Sequence, residues 1–263
     1  MLIDNRNLDY YKINYSAHDG SLSFDVQKNV KILSRLLREY DIATHGKKIL
    51  DFGFGTGHIL ELFRRLGALC YGADISAEAV SRLAKNAEYE LRLITGTQIP
   101  FEDNMFDIVV ASQTIEHVPD ESLILGEISR VLRPQGFFIM GVPSTVQGYN
   151  PLHFREYTKQ DMKRLEQILK AHCLGYKVFG GKLFLKTYIY LNQIVTKGMG
   201  ISGEETFESC VKRKNKMLSF ILKTARYIYH KVLVKILIIL YLTDSKFPKK
   251  QSYEIWFVFK LVP

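Results

Sequence analysis

The chain has 263 residues, of which 47% are hydrophobic and 24% are charged, values ordinary for a globular protein with one well-buried domain and an appendage. Its formal net charge is +9, and its three cysteines, Cys70, Cys173 and Cys210, follow no metal-type spacing. We therefore expect no disulfide framework, no metal site and a reducing, cytoplasmic compartment. The first residues are charged and lack an apolar run, which argues against a secretory signal.

Residues 1–45 are predicted to form an N-terminal arm and one helix. The helix begins at Ser23, because apolar residues then recur at helical spacing: Val26, Val30, Leu33 and Leu37. A tyrosine-rich arm, residues 9–15, precedes this helix.

The most informative stretch, residues 47–58, is an apolar strand that ends in an acid and runs into three glycines. A helical pattern starts at His58 and stops at Gly67. Gly53, Gly55 and Gly57 allow a tight turn and a close approach of the backbone to a ligand. Strand, glycine turn and helix together predict a cofactor site.

This stretch resembles the cofactor loop of the class I S-adenosylmethionine (SAM) methyltransferases. A dinucleotide site is the alternative, because the Rossmann signature has the same elements. The spacing here is G-x-G-x-G, however, whereas the dinucleotide fingerprint is G-x-G-x-x-G. The carboxylate of Asp51 at the strand tip would repel a pyrophosphate but suits the ammonium and sulfonium of SAM. The sequence therefore favours SAM as the cofactor. The resemblance implies that the tyrosine-rich arm, residues 9–15, folds over this cofactor, and the alternative is a loosely packed surface strand.

A second predicted strand, residues 68–73, ends in Asp74, about 20 residues after the first glycine. In nucleoside-binding α/β folds an acid at this position binds the ribose hydroxyls, and we expect that role for Asp74, with Ile75 beside it. The alternative is that Asp74 caps the following helix, although Ser76 can cap that helix alone.

Two later segments resemble the ubiquinone-biosynthesis-like group of small-molecule methyltransferases. In Gly96–Phe101, Thr97 stands where the group usually has an acid that bonds the adenine, so the resemblance assigns this contact to Thr97 or Gln98. After the fourth strand it places Ser112 and Gln113 along the methionine part of SAM. Gln135 stands where the group usually has glycine, which we interpret as a tolerated local change because Gly136 follows.

Two clusters are candidates for chemistry. His117, which follows the fourth strand, is the candidate base that would take a proton from the acceptor, with Glu116 orienting it. The alternative is that both residues brace the next helix. His153, Arg155 and Tyr157 follow the fifth strand and are candidate acceptor contacts, although a similar segment in relatives partly seats the next helix.

We expect an α/β fold with a Rossmann-like seven-stranded, mostly parallel sheet, helices on both faces, an antiparallel last strand and a helical insertion before it. Residues 46–180 would form the SAM-binding core, 181–251 the insertion and 252–263 the final strand. The sixth strand is predicted to run parallel to its neighbours. The insertion would then emerge at the carboxyl edge of the sheet, where ligands bind, and border the acceptor site.

The insertion carries nearly all of the net charge. From Thr196 to Lys250 there are 12 lysines and arginines against 4 acids, a net +8. A helix predicted over 216–242 places four basic residues on one stripe: Lys216, Lys223, Arg226 and His230. It would lie on an anionic membrane surface, form a lid over the domain, or bind nucleic acid, for which no module is recognised. The apolar run 232–242 is too short to span a bilayer, which needs about 20 residues.

These observations predict a SAM-dependent methyltransferase with a small-molecule acceptor. O-methylation of a lipid-linked sugar or a prenylated phenol fits an insertion at a membrane face, with peripheral association at the inner membrane. The alternative is a non-catalytic SAM-fold protein that docks on a membrane or a partner through its basic helix.

Overall fold

The computed structural model describes residues 24–85, 87–144, 152–180, 239, 241–242 and 254–263. The elements in chain order are α1 Phe24–Glu39, β1 Lys48–Phe52, α2 His58–Arg65, β2 Leu69–Asp74, α3 Ala77–Leu83, β3 Tyr89–Leu93, β4 Phe106–Ser112, α4 Glu121–Val131, β5 Leu132–Pro143, α5 Met162–Leu169, β6 Ala171–Phe179 and β7 Glu254–Leu261. Short 3₁₀ turns at Ile115–His117 and Lys159–Asp161 follow β4 and precede α5.

The seven strands form one sheet in the order β3-β2-β1-β4-β5-β7-β6. Strands β1 to β5 pair in parallel, and β7 is antiparallel to both β5 and β6. The predicted mostly parallel sheet with an antiparallel last strand is therefore confirmed. The sixth strand needs a correction: β6 shares the direction of the parallel strands but is hydrogen-bonded to β7, not to a parallel neighbour.

Helices cover both faces of the sheet, as predicted, because successive strand residues point to opposite faces. On one face, Ile108 and Val110 of β4 pack with α1 and α2. On the other face, Val109 packs with α4 and α5. Strand β7 is buried along nearly its whole length, which explains its continuous apolar run.

Two details of the helices differ from the expected pattern. Residues Ile32, Leu33, Leu36 and Leu37 supply the buried face of α1, while Val26 and Val30 are half-buried. Leu66 lies within the helical pattern predicted from His58 to Gly67, but it follows the end of α2 and is 39% exposed; the next residue, Gly67, has φ 75°. Among the helices that the structure describes, none has the length and hydropathy of a membrane span.

The register of the last strands fixes where the predicted insertion joins the sheet. Glu254, the first residue of β7, pairs with Pro143 at the end of β5 and with Phe179 at the end of β6. Residues 180–253 therefore leave and rejoin the sheet at its carboxyl edge. The predicted basic stripe and the tyrosine-rich arm lie outside the described residues, but Ile239, Tyr241 and Leu242 are helical.

Candidate functional site

The glycine loop after β1 has a backbone that other residues would strain. Gly53, Gly55 and Gly57 have φ values of 74°, 47° and 80°, in the left-handed region that favours glycine. A Cβ atom at Gly53 would lie 2.4 Å from Thr114, and one at Gly57 would lie 2.3 Å from Leu83. The three glycines are thus required by conformation, and two of them also by space.

Asp74 ties this loop to the end of β2. Its carboxylate accepts hydrogen bonds from the backbone N–H of Gly55 at 2.8 Å and of Ser76 at 2.9 Å. The cap of α3 is Ser76, whose hydroxyl accepts from the N–H of Ala79. Ser76 is therefore the residue whose side chain caps α3, and Asp74 holds the glycine loop, while its role in ribose binding stays a prediction.

Asp51, at the carboxyl end of β1, is 1% exposed, and its Oδ2 atom has no hydrogen-bond partner among the described residues. Burial, followed by the charge of Asp74, raises the pKa of Asp51 well above its usual value. The Oγ atom of Ser112, at the end of β4, is also buried without a partner. Buried polar atoms are normally paired, so this edge of the sheet fits a ligand that brings a cation to Asp51.

The turn after β4 is held by the carboxylate of Glu254, which the sequence analysis did not identify as a candidate. Gln113 has φ 55°, and its Nε2 donates to Glu254 at 2.7 Å. The fully buried Glu254 also lies 2.8 Å from the Nζ of Lys28 on α1, and it accepts from the indole of Trp256 at 3.0 Å and from the hydroxyl of Tyr241. The amide nitrogen of Gln113 is therefore engaged within the protein.

The structure brings Glu116, His117 and His153 together. The ligand atoms of these three side chains lie within 4.8 Å of one another, although His117 and His153 are 36 positions apart in the chain. Both carboxylate oxygens of the fully buried Glu116 lack a hydrogen-bond partner among the described residues. The sequence analysis placed these three residues in two separate candidate clusters, and no short-range spacing indicates that the two histidines meet.

His117 is oriented by a backbone carbonyl, not by Glu116 as we expected. Its Nδ1 lies 3.1 Å from the carbonyl oxygen of Leu152, whereas its Nε2 is 4.0 Å from Glu116 Oε1, which is too long for a hydrogen bond. Burial, followed by the proximity of His153, lowers the pKa of His117 to about 4. Burial raises the pKa of Glu116 to about 8.

Arg155 and Tyr157, the other predicted acceptor contacts, instead hold neighbouring segments of the protein in place. The guanidinium of Arg155 donates to the carbonyls of Val118 at 2.7 Å and of Pro119 at 2.6 Å, so it braces the turn after β4. Tyr157 is fully buried and bridges to Ser144, and burial raises its pKa. These contacts favour the alternative in which this segment seats its neighbours, with His153 as the residue that reaches the cluster.

Thr97 and Gln98, the predicted adenine contacts, are exposed and line a cavity of about 800 Å³. Its walls come from residues 92–93, 95–103 and Arg130, and they include no residue of the glycine loop. Neither Asp51 nor Asp74 lines this cavity. Ile75 is half-buried directly after Asp74.

Residues 50–140 match a protein family described as "Methyltransferase domain". The chain is 28% identical over 165 residues to a demethylmenaquinone methyltransferase of Corynebacterium urealyticum. This alignment covers 62% of this chain and 70% of the relative. The chain is also 35% identical over 100 residues to a ubiquinone biosynthesis O-methyltransferase of Bradyrhizobium sp.. This second alignment covers 36% of this chain and 39% of the relative.

The fold is also similar to a solved structure, the phosphoethanolamine N-methyltransferase 2 of Haemonchus contortus in complex with S-adenosyl-L-methionine. The TM-score is 0.57 at 15% sequence identity, and the match covers 88% of this chain and 52% of that one. This likeness concerns the fold alone.

Proposed function

We propose, on the premise that the chain belongs to the class I SAM-dependent methyltransferases of the ubiquinone-biosynthesis-like group, that it catalyses methyl transfer to an oxygen of a small-molecule acceptor. The observation that carries the proposal is the buried carboxylate oxygen of Asp51, which has no hydrogen-bond partner in the part of the chain that the structure describes, next to three glycines with positive φ. SAM would supply a methyl group activated by its positively charged sulfur.

The residues of the carboxyl edge fit this cofactor. Asp51 would pair with its ammonium, since a cation removes the cost of a buried, unpaired carboxylate. The glycine loop would let the backbone approach the ligand, and Asp74, which already holds Gly55, would accept from the ribose hydroxyls. Ser112 would contact the methionine part through its buried hydroxyl.

The chain must also position the acceptor and take a proton from its hydroxyl. His117 is the proposed base, because it follows β4 at the same edge as Asp51 and the Leu152 carbonyl fixes the direction of its ring. His153, whose ring centre is 4.8 Å from that of His117, would contact the acceptor beside it. Holding the two reactants in line is the main catalytic task in such a displacement.

We propose a prenylated phenol or a lipid-linked sugar as the acceptor. The names of the two quinone-related relatives support a phenolic ring. The alignments cover 70% of the demethylmenaquinone methyltransferase and 39% of the ubiquinone biosynthesis O-methyltransferase. The chain leaves β6 and re-enters β7 at the carboxyl edge, which supports an acceptor site bordered by the insertion. The net charge of +8 between Thr196 and Lys250 supports contact with an anionic membrane surface.

Calorimetric titration with SAM tests the cofactor assignment. Asp51→Asn and Gly55→Val should abolish binding, because the first removes the partner of the ammonium and the second fills the space of the loop. Asp120→Asn is the matched control, since Asp120 caps α4 through the N–H of Leu123 and asparagine caps equally well. Wild-type affinity in either loop variant would refute the assignment.

Incubation of the protein with SAM and a panel of prenylated phenols and lipid-linked sugars tests the reaction. We expect one acceptor to gain the mass of a single methylene unit, and we expect His117→Ala to lower single-turnover rates with unchanged SAM affinity. SAM binding without transfer to any acceptor in cell extract would instead support the non-catalytic SAM-fold alternative.

Co-sedimentation with anionic vesicles tests the membrane surface. Binding should weaken as salt rises, because salt screens the attraction over about 8 Å at physiological ionic strength. The Lys223→Glu/Arg226→Glu variant should lose binding, whereas Lys85→Glu/Lys163→Glu, with the same charge change on the core domain, should retain it. A wild-type protein that stays in the supernatant at low salt would contradict the membrane proposal.

A further inference from the structure

We propose that Glu116, His117 and His153 form a binding site for a divalent transition-metal ion. The first reason is the arrangement of donors: one carboxylate oxygen and two imidazole nitrogens lie within 4.8 Å of one another. Small movements of side chains would bring them to the metal–ligand distances of about 2.0 to 2.2 Å that nitrogen and oxygen donors adopt.

The second reason is the environment of Glu116. Its side chain is fully buried and both of its oxygens lack a hydrogen-bond partner among the described residues. A carboxylate in that position costs free energy unless it is paired or coordinates a metal. One of its oxygens, Oε1, is directed to within 4.0 Å of His117 Nε2. A cation between these two atoms would satisfy the carboxylate.

The third reason is the orientation of His117. Its Nδ1 faces the carbonyl oxygen of Leu152 at 3.1 Å, which leaves Nε2 on the side of Glu116. Metal-binding histidines typically donate their other ring N–H to a carbonyl or carboxylate, because that bond fixes both the tautomer and the ring. His117 already has this supporting contact.

The fourth reason is that the two chain segments of the site are joined by backbone contacts. The N–H of Phe154 donates to the carbonyl of Glu116 at 2.8 Å. Arg155 donates to the carbonyls of Val118 and Pro119, just past the 3₁₀ turn. His153 is therefore held against Glu116 and His117, as a preorganised site requires.

Two imidazoles and one carboxylate suit zinc, manganese, iron or cobalt better than magnesium or calcium, which prefer oxygen ligands. Three protein ligands leave coordination positions open, as in catalytic metal sites. An acceptor with hydroxyl oxygens, such as a dihydroxyphenol, would bind there. This role rests on the proposed function. With the ion bound, His117 would be a ligand instead of the base proposed above, and the cation would lower the pKa of the acceptor hydroxyl so that its proton leaves to solvent.

Cobalt(II) tests the site, because its visible absorption reports coordination without any enzymatic activity. We expect metal-free, full-length protein to bind Co²⁺ one to one, with absorption bands that Zn²⁺ displaces. His153→Gln should weaken binding at least tenfold. The control is His172→Gln, which removes an exposed histidine on β6 and should leave Co²⁺ affinity unchanged. Circular dichroism would verify that both variants fold.

Two results would overturn the inference: no absorption bands at millimolar Co²⁺, or equal affinity in wild type and His153→Gln. A parallel SAM titration separates this inference from the proposed function. If the protein binds SAM but not cobalt, the metal site alone is refuted. If it binds cobalt but not SAM, and His153→Gln loses the cobalt binding, the metal site is supported and the cofactor assignment is refuted.

Discussion

Glu254→Gln should be among the most destabilising isosteric changes in the protein. The Oε2 atom of Glu254 faces Lys28 and Tyr241, and its Oε1 atom faces Gln113 and Trp256. All four partners donate, so the NH₂ group of a glutamine would face two donors in either orientation. Tyr241 can turn its hydroxyl to accept, but the ammonium and the indole N–H cannot.

The size of the effect follows from these contacts. Hydrogen bonds to a charged group contribute about 1.5 to 3 kcal/mol each. Losing two of them would cost about 3 to 6 kcal/mol, which overlaps the range of about 3 to 5 kcal/mol for removing one partner of a buried ion pair. Since folded proteins have only about 5 to 15 kcal/mol of stability, the variant should fold but with little margin.

Urea unfolding at pH 7 measures this loss. The control is Glu39→Gln, whose carboxylate pairs with Lys177 and Arg35 at a half-exposed position and should contribute at most about 1 kcal/mol. The double variant Lys28→Met/Glu254→Gln should lose less than the two single losses combined, because it leaves no buried charge without its partner. A loss below about 1 kcal/mol in Glu254→Gln would refute the reasoning.

Three further changes have defined outcomes. The folded-state pKa of Asp51 is raised, so the stability from this group is present at low pH and lost as pH rises through that pKa. Asp51→Asn should therefore stabilise the ligand-free protein at pH 7, by about 1 to 3 kcal/mol in urea unfolding, while SAM binding is lost. In the wild type, SAM affinity should fall as the pH is lowered, because the ammonium of SAM requires the ionised carboxylate of Asp51. A constant affinity in titrations at several pH values would contradict this. Asp74→Ala should weaken SAM by about 1 to 3 kcal/mol in the same titration, and an unchanged affinity would remove the ribose role. Gln135 has φ 64°, so Gln135→Gly should raise the melting temperature by relieving about 1 kcal/mol of strain, whereas Gln135→Ala, which keeps the strain, should not.

The parts of the fold that the sequence predicted are those with local signals. Strands β1, β4 and β7 contain short apolar runs, and the glycine loop needs positive φ at residues one, three and five positions after the end of β1. The turn at Gln135 differs from the expectation, because we assigned it to Gly136, whereas the positive φ of 64° is at Gln135, the position that usually holds glycine in the family. Local patterns sufficed for the strands and the glycine loop, because these features depend on neighbours in the chain.

The features that the sequence did not predict depend on distant residues. The hydrogen bond between Gln113 and Glu254 joins residues 141 positions apart, and the ion pair of Lys28 with Glu254 crosses nearly the whole chain. No periodicity or spacing signals such a contact. The roles of Asp74 and Ser76 likewise became distinct only when the position of Gly55 was known.

These distant contacts all involve Glu254, at the carboxyl edge of the sheet. Lys28 belongs to the helix before the glycine loop, Gln113 to the turn that follows Ser112, and Tyr241 to the segment between the last two strands. All three contact the one buried carboxylate of Glu254. A change in the segment near Tyr241 can therefore reach Gln113, at the edge proposed for SAM, through a single side chain. This physical link joins the cofactor side of the proposed site to its acceptor side.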